Sequence, residues 1–380
     1  MKFRTKAIHI GNQRCRLTGA VVPPIHLAST YVQEFPGEWG EYDYSRSGNP
    51  TRDNMETTLA ALENGIDALA FSSGMAATHC VTMLLNAGDH IVAGTDIYGG
   101  TYRLLHKISN RAGITVTLAD AGNPENLQAA IQPNTKLIWI ESPGNPLLSI
   151  TDIALCAEIA ADAGILIGID NTFATPVLTR PLDLGIDIVM HSATKYLGGH
   201  SDALGGALVI NDPALRERLY YIQNATGNCM SPLDSFLISR GMKTLDLRVK
   251  AQSESAQAIA EFLDADPRVS RVLYPGLPSF EGHQLASRQM QGGFGAMVSF
   301  ELAGDFEKAK RVTASTKLFQ LAVSLGAVES LIEQPASMSH ASYDREDRLA
   351  HGIRDELIRL SVGLEDPTDL IADLDQALNS

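Results

Sequence analysis

Five short apolar segments, each followed directly by small or polar residues, limit the folds that this chain can adopt. They are DALAF before SSGMAA, DHIVAG before TDIYGG, KLIWI before ESPGNP, ILIGID before NTFATP, and DIVMHSA before TKYLGG. Each has strand length and is apolar throughout, which is typical of strands buried on both faces. Segments such as NPENLQAAI and DIALCAEIAADAG indicate helices between them. This alternation predicts an α/β fold with a mostly parallel sheet.

The polar residues after these segments predict where a functional site lies. In parallel sheets with crossover helices, ligands bind beyond the carboxyl ends of the strands. We therefore expect the polar segments to converge at one edge of the sheet and to form one site there.

The sequence pattern changes near residue 240 and indicates a second, smaller α+β domain. TLDLRVKAQSESAQAIAEFLDA predicts one long amphipathic helix, GAMVSFEL a strand and DLIADLDQALNS a closing helix. The first 45 residues lack periodicity and contain VVPP, which indicates an extended arm. We predict an arm over 1–45, a large domain over 46–240 and a C-terminal domain over 241–380.

Composition and charge argue against several classes of protein. The chain has 380 residues and a net charge of −14, which disfavours a nucleic-acid partner because phosphate binding needs a basic face. The N-terminus lacks the apolar segment of a signal peptide, and no run of about 18 apolar residues predicts a membrane span. Cys15, Cys80, Cys156 and Cys229 are isolated, so neither a disulfide framework nor a metal site is expected. These features favour a cytoplasmic location.

Lys195 stands where the apolar segment DIVMHSA ends, next to small hydroxyl and glycine residues. A lysine at a strand end is most often a surface residue. If the strand is buried, however, desolvation lowers the pKa of the amine and frees its lone pair. Such an amine, among groups that can bind a phosphate, is what a pyridoxal-phosphate Schiff base requires.

The segment SSGMAATHC predicts a turn followed by a helix that begins near Gly74. Backbone N–H groups at a helix N-terminus bind anions, and the small residues Ser72, Ser73 and Gly74 permit close approach. Ser192 and Thr194 could add hydroxyl donors. A strand-to-helix turn in which a serine caps the helix would account for the same residues without a bound anion.

Two further strand ends carry candidate cofactor contacts. Asp170 ends a predicted buried strand, where its carboxylate needs a partner such as a protonated pyridine nitrogen, a helix terminus or a basic side chain. Tyr98 could stack on a flat cofactor ring. The loop YDYSRSGNPTR supplies Tyr44 and Arg46, and an arginine there could hold a phosphate.

Eight segments in order resemble the Cys/Met-metabolism family of pyridoxal-phosphate enzymes. They are YSRSGNPTR, SSGMAA, YGGTYR, ESPGNP, DNTFATP, HSATKYLGGHSD, SLGAVESLIEQPASMSH and IRLSVGLED. The resemblance runs over nearly the whole chain. It implies the aspartate-aminotransferase-like fold (fold type I) and pyridoxal 5'-phosphate as cofactor.

The resemblance also implies roles for single residues. It assigns Lys195 as the Schiff-base lysine and, with Tyr98, as a catalytic residue, while Tyr98 also stacks on the cofactor. It makes Asp170 the partner of the pyridinium nitrogen. The phosphate donors that it implies are Gly74 and Met75 through the backbone, and Ser192 and Thr194 through hydroxyl groups.

Other residues are assigned to the substrate and to a neighbouring subunit. By resemblance, Arg359 holds the substrate α-carboxylate with help from Asn145 and Ser324. Tyr44 and Arg46 reach the cofactor phosphate of a neighbouring subunit. The active unit is therefore expected to be a homodimer, and a dimer of dimers is usual in the family.

The resemblance leaves the reaction open. β-lyases typically carry aromatic residues, including a tryptophan, in the region that matches SLGAVESL. This segment has none, which counts against β-elimination. Glu329 in that segment is expected to hold the distal ammonium of cystathionine. The segment TDIYGGTYR has no cysteine, which counts against methionine γ-lyase.

We therefore expect γ-elimination on a sulfur amino acid, with cystathionine as the preferred substrate. The alternatives are a γ-synthase, which joins an acylated homoserine to cysteine, and a pyridoxal-phosphate-binding regulator with little turnover. Gly144 and Ala327 depart from the usual family letters and leave the fine specificity open.

Overall fold

The computed structural model describes residues 1–341 and 344–380, and in these ranges the chain forms one sheet of seven strands and another of five. The larger sheet contains β1 (Asp67–Phe71), β2 (His90–Gly94), β3 (Thr115–Ala119), β4 (Thr135–Glu141), β5 (Leu166–Asp170), β6 (Ile188–His191) and β7 (Gly206–Ile210). The smaller sheet contains β8 (Val269–Leu273), β9 (Met297–Leu302), β10 (Gln320–Leu321), β11 (Leu331–Glu333) and β12 (Leu357–Ser361).

Helices connect the strands and cover both faces of the larger sheet. In chain order they are α1 (Phe3–His9), α2 (Pro50–Glu63), α3 (Gly74–Thr82), α4 (Gly99–Arg103), α5 (Pro124–Ala130), α6 (Ile153–Ala163), α7 (Thr175–Leu178), α8 (Pro213–Thr226), α9 (Pro232–Met242), α10 (Leu245–Asp264), α11 (His283–Gln289), α12 (Phe306–Ser315), α13 (Arg345–Ala350) and α14 (Pro367–Leu378). A π-helical turn, Leu104–Ile108, and a 3-10 turn, Ser109–Ala112, follow α4, and a second 3-10 turn, Pro181–Leu184, follows α7.

Side-chain caps fix the starts of many of these helices. Asn49 precedes α2, and its Oδ1 accepts hydrogen bonds from the backbone N–H groups of Thr51 (2.9 Å) and Arg52 (3.3 Å). Pro50 occupies the first helical position, where its missing N–H costs nothing. The helix ends at Asn64, which adopts the left-handed conformation with φ 60°.

The strand order of the larger sheet is β1-β7-β6-β5-β4-β2-β3. Strand β7 runs antiparallel to β1 and β6, whereas the other neighbouring pairs are parallel. The five apolar segments predicted to be strands form β1, β2, β4, β5 and β6, and their carboxyl ends lie at one edge. The predicted fold class is confirmed.

The smaller sheet, in the order β10-β11-β12-β9-β8, follows residue 240, as the sequence pattern predicts. The predicted long helix is α10, the predicted strand is β9 and the predicted closing helix is α14. Helix α9 crosses the predicted boundary at residue 240. The limits of the domains stay a prediction.

The arm differs from its prediction at one point, because residues 3–9 form the short helix α1. Lys6 binds the end of α2 through the Ala61 carbonyl and Asn64 Oδ1, which fixes α1 against that helix. Among the described residues, no helix combines the length and apolar character needed to cross a bilayer.

Candidate active site

A cavity of about 740 Å³ lies beyond the carboxyl ends of the strands of the larger sheet. Residues of the smaller sheet and of the loops between its strands close the cavity on the other side. The sequence-predicted residues that line it are Gly74, Met75, Tyr98, Asn145, Asp170, Ser192, Thr194, Lys195, Ser324 and Arg359.

Lys195 follows β6 in a turn whose backbone is fixed at both ends. Its N–H donates to the Ser192 carbonyl at 3.2 Å, and its carbonyl accepts from Gly199 at 2.7 Å. The Lys195 Nζ donates to Ser324 Oγ at 2.7 Å. Burial first and the Arg359 charge second lower the pKa of the Lys195 amine to about 8, against the opposing effect of Glu333. An amine with this pKa is a competent nucleophile and base near neutral pH.

Ser324 holds its hydroxyl toward Lys195 from a strained backbone conformation, with φ 141°. Such strain in a residue other than glycine persists where the surrounding structure imposes it, and it is often found at functional sites.

The N-terminus of α3 faces the cavity and has the features of an anion site. Ser73 Oγ caps the helix by accepting a hydrogen bond from the Ala76 N–H at 3.1 Å. Gly74 and Met75 are in the first turn, whose N–H groups have no partner within the helix. Gly206 permits the approach, because a Cβ there would lie 2.2 Å from the Ser73 carbonyl oxygen.

Ser192 and Thr194 both line the cavity beside α3. The Thr194 hydroxyl donates to the Gly205 carbonyl at 3.1 Å and accepts from the Gly205 N–H at 3.0 Å. It therefore fixes the loop before β7, and a phosphate would have to compete for its proton.

Asp170 and Glu141 form a pair of buried carboxyl groups at the ends of β5 and β4. The two residues are register partners, and each is 6% exposed. Asp170 Oδ1 accepts a hydrogen bond from the Thr172 N–H at 3.0 Å. Burial raises the pKa of Asp170, and burial followed by the charge of Asp170 raises the pKa of Glu141. Two acids in this position call for a cation, and a protonated ring nitrogen would supply it.

Tyr98 lies at the start of α4 with its ring at the cavity and is 40% exposed. Glu141 Oε2 accepts a hydrogen bond from the Tyr98 N–H at 2.8 Å, so Glu141 fixes the residue in place. Gly100 leaves space for the ring, because a Cβ there would lie 2.3 Å from Tyr98 Cε1.

Arg359 enters the cavity from β12 of the smaller sheet and is 4% exposed. Its guanidinium donates to Asn145 Oδ1 at 2.8 Å and to the Ser324 carbonyl at 3.2 Å. The same group pairs with Glu333 on β11, at 3.1 Å between Nη2 and Oε1. The arginine is therefore oriented before any substrate binds, which suits recognition of a carboxylate.

Tyr44, Arg46 and Glu329 are not among the described residues that line the cavity of this subunit. Arg46 instead donates to the carbonyl and to Oδ1 of Asn224, at 2.6 and 2.8 Å.

Glu329, which was predicted to contact the substrate, also lies outside the cavity lining, and its role stays a prediction. The chain turns at Gly326, with φ 78°, after Ser324 has reached the cavity. Glu329 then lies with its backbone against Gly363, outside the cavity.

The two departures from the family letters also lie outside the cavity lining. A Cβ at Gly144 would meet Asp96 Oδ2 at 2.2 Å, so glycine at this position accommodates the partly buried Asp96. The Ala327 carbonyl accepts a hydrogen bond from Gln252 at 2.8 Å.

Sequence reasoning missed several residues that line the cavity. They include Arg103, Glu141, Thr172, Phe173, Glu333 and Met338. Glu141 and Glu333 carry the same signal as Asp170, an acid at the end of an apolar strand segment. Arg103 and Met338 stand in segments of mixed composition, and no local pattern distinguishes them.

These contacts fit pyridoxal phosphate. The N-terminus of α3 suits its phosphate, the buried Asp170 suits its ring nitrogen, and the half-buried amine of Lys195 suits its aldehyde. Within the described part of the chain, no group of three His, Cys, Asp or Glu side chains could hold a metal ion.

Known proteins match the chain over its whole length. A cystathionine gamma-lyase of Bacillus subtilis is 51% identical over 380 residues, covering all of both chains. A cystathionine beta-lyase of Coxiella burnetii is 50% identical and covers 98% of this chain and 97% of its own length. A cystathionine gamma-synthase of Mycobacterium tuberculosis is 50% identical and covers 98% of this chain and 96% of its own length.

A solved structure agrees with the fold. The cystathionine gamma-lyase of Lactobacillus plantarum, complexed with L-serine, superposes with a TM-score of 0.97 at 48% identity. It covers all of this chain and 99% of its own.

The family match carries the identification. Residues 4–379 match the family described as Cys/Met metabolism PLP-dependent enzyme. Together with full-length relatives at about half identity, this match shows that the chain belongs to the Cys/Met-metabolism family of pyridoxal-phosphate-dependent enzymes.

Proposed function

We propose that this enzyme is a cystathionine γ-lyase. It would convert cystathionine and water to cysteine, 2-oxobutanoate and ammonia. The observation that carries the proposal is the position of the Lys195 amine, 2.7 Å from Ser324 Oγ in the cavity that Asp170 and Arg359 also line. That arrangement provides a base, a cofactor anchor and a carboxylate clamp in one site.

Lys195 is the proton-transfer group in this proposal. When bound, pyridoxal phosphate accepts the electrons left behind as a bond to Cα breaks. The pKa of Lys195 is lowered to about 8, so part of the amine is neutral near pH 7 and can take a proton from the substrate. The same amine can transfer a proton at Cα and then at Cβ, and γ-elimination requires both transfers.

Arg359 would set which substrate bond reacts. A carboxylate held by its guanidinium fixes the rotation about Cα, and hence which bond faces the cofactor. Asn145 holds the guanidinium from one side and Ser324 from the other. Because Ser324 also binds Lys195, the carboxylate site and the base share one strained residue.

Two other reactions are close alternatives. The relatives named gamma-synthase and beta-lyase are about as similar to this chain as the one named gamma-lyase. The sequence argument against β-elimination, the missing tryptophan, therefore stays a prediction. A regulator with little turnover is disfavoured, because binding alone would not need Lys195, Asp170, Tyr98 and Arg359 together.

Product analysis of the purified enzyme tests the proposal. With cystathionine, γ-elimination yields 2-oxobutanoate and cysteine, whereas β-elimination yields pyruvate and homocysteine. A parallel assay with O-acetylhomoserine or O-succinylhomoserine plus cysteine detects the synthase. Lys195→Ala is the control for all three reactions. Pyruvate as the main keto acid, or cystathionine formed but not cleaved, would overturn the assignment.

We also propose that the enzyme works as a homo-oligomer in which two copies complete each site. Apolar side chains in the arm are open to solvent in the single subunit, with Val32 at 91% and Trp39 at 65% exposed. A second copy is the partner that this proposal assigns to them. Tyr44 and Arg46, at the end of the arm, would then reach the partner's phosphate site.

A cytoplasmic location is part of the same proposal. The four cysteines are unpaired, which is usual for thiols in a reducing compartment.

A further inference from the structure

A buried acid–base pair lies behind the cavity, on the other face of the larger sheet. His191 Nε2 lies 2.6 Å from Glu63 Oε1, and the two side chains are 1% and 0% exposed. Side chains alternate along β6, so Met190 lines the cavity whereas His191 points to the end of α2.

Glu63 occupies a position where a carboxylate is unfavourable. It is the last residue of α2, and the partial negative charge of a helix C-terminus repels an anion. It is also fully buried, and a buried charge needs a partner. Within the described residues, Glu63 Oε2 and His191 Nδ1 have no hydrogen-bond partner. Apolar side chains of similar size would fill this part of the core at a lower free-energy cost. Packing alone therefore does not explain the pair.

The pair is attached to the cavity through Asn171. Asn171 Nδ2 donates to Glu63 Oε1 at 2.9 Å, and the Asn171 N–H donates to the Met190 carbonyl at 2.9 Å. Asn171 directly follows Asp170, and His191 directly precedes Ser192. Glu63 therefore contacts the residues adjoining two of the cavity side chains at once.

The pair also acts on the charge of Asp170. Burial raises the pKa of Asp170, the hydrogen bonds from Thr172 lower it, and a charge on His191 lowers it as well. Glu141, at the next strand end, acts in the opposite direction, because a second carboxylate disfavours ionisation. His191 is thus positioned to offset Glu141.

We propose that Glu63 and His191 are positioning residues that hold Asp170 in place and keep it ionised for the protonated ring nitrogen of pyridoxal phosphate. Glu63 holds the His191 ring in place through the 2.6 Å contact, and a charge on His191 favours the ionised form of Asp170. This inference rests on the role given to Asp170 in the proposed function.

Cofactor affinity and protein stability, measured separately, test the inference. Glu63→Gln keeps the size of the side chain and an acceptor for Asn171 but removes the charge. We expect it to raise the dissociation constant for pyridoxal phosphate, measured by titrating the apoenzyme, about tenfold, the effect of one pKa unit at Asp170. His191→Asn should act in the same direction. The pH dependence of the bound cofactor's visible band should change in both variants.

His90→Asn is the matched control. His90 is also 1% exposed and in the same sheet, but its ring is bound by Thr135 (2.8 Å) and Thr117 (2.9 Å), and it does not line the cavity. We expect this variant to unfold at lower urea concentration with its cofactor affinity unchanged. A merely structural Glu63–His191 pair would give the same result.

Asp170→Asn separates failure of this inference from failure of the proposed function. If Asp170→Asn leaves cofactor affinity unchanged, the role of Asp170 itself is wrong. If it weakens affinity whereas Glu63→Gln does not, only the inference fails. In the Asp170→Asn background, Glu63→Gln should have no further effect on affinity. Failure of both Glu63→Gln and His191→Asn to fold would identify the pair as structural and reject the inference.

Discussion

At the scale of single residues, the proposed chemistry centres on Lys195 and the two opposite charges near it. Arg359 and burial both favour the neutral amine, whereas Glu333 favours the ammonium. With a pKa of about 8, roughly a tenth of the amine is neutral at pH 7. The Glu333 carboxylate, which orients Arg359, therefore also limits how far the pKa of the Lys195 amine falls.

The rate at which the apoenzyme incorporates pyridoxal phosphate should follow this titration. Below about pH 7 the rate should rise nearly tenfold per unit, because only the neutral amine attacks the aldehyde; the rise should slow to about fivefold between pH 7 and 8 and level off above pH 8. The visible absorbance of the protein reports the reaction, and Lys195→Ala should give none. Glu333→Gln should shift the midpoint to lower pH. A midpoint near the ordinary value for lysine would contradict the lowered pKa.

At the scale of secondary-structure elements, the anion site depends on how closely α3 packs against β7. Gly206, the first residue of β7, lies under the Ser73–Gly74 backbone, where a Cβ would also come within 2.6 Å of the Gly74 nitrogen. Neither backbone can move without displacing the turn at the start of α3, which faces the cavity. The close contact between α3 and β7 thus determines where the N-terminus of α3 lies at the cavity.

Gly206→Ala should therefore weaken both stability and cofactor binding. Overpacking of this kind costs about 1–3 kcal/mol, and the displaced helix start should lower pyridoxal-phosphate affinity further. Urea unfolding and cofactor titration measure the two effects. Gly94→Ala, at the end of β2, is the control, because its Cβ would make only an ordinary contact at 3.5 Å. Equal behaviour of the two variants would mean that α3 can move freely.

The elements also show how far the sequence could predict this molecule. Buried parallel strands are apolar throughout and end abruptly, so five strands and the edge where Asp170, Ser192 and Lys195 meet were readable from local composition. The surroundings of Glu329 were not, because they depend on the backbone at Gly326, which has φ 78°. Glu333 carries the local signal of an acid at a strand end, but its pairing with Arg359 on the neighbouring strand is a contact that local sequence does not encode.

At the scale of the whole molecule, the proposed oligomer links the exposed arm of one subunit to the phosphate site of its partner. Arg46 binds Asn224 in the single subunit, and its guanidinium lies 5.6 Å from the centre of the Tyr44 ring. Neither side chain lines the cavity of its own subunit. The proposal that they serve a partner's site predicts that two defective subunits can complement each other.

Co-expression of Arg46→Ala with Lys195→Ala subunits tests this complementation. Each variant alone should have little activity, because one lacks the phosphate contact and the other the base. A mixed dimer contains one site with both native residues, so random mixing should restore about a quarter of the wild-type activity per chain. Pairing Arg46→Ala with the double variant should restore none. Recovery in neither mixture would show that Arg46 does not act across subunits.

The cavity is lined by residues of both sheets, which in the proposed function supply the base and the carboxylate site. Lys195 follows β6 of the larger sheet, whereas Arg359 belongs to β12 of the smaller one. An amino acid that contacts both Lys195 and Arg359 would therefore link the two sheets, and the link would be lost when it leaves. Ligand occupancy would then couple their unfolding, so that a substrate analogue protects regions far from the cavity against proteolysis, and substrate scarcity would leave the enzyme more open to degradation.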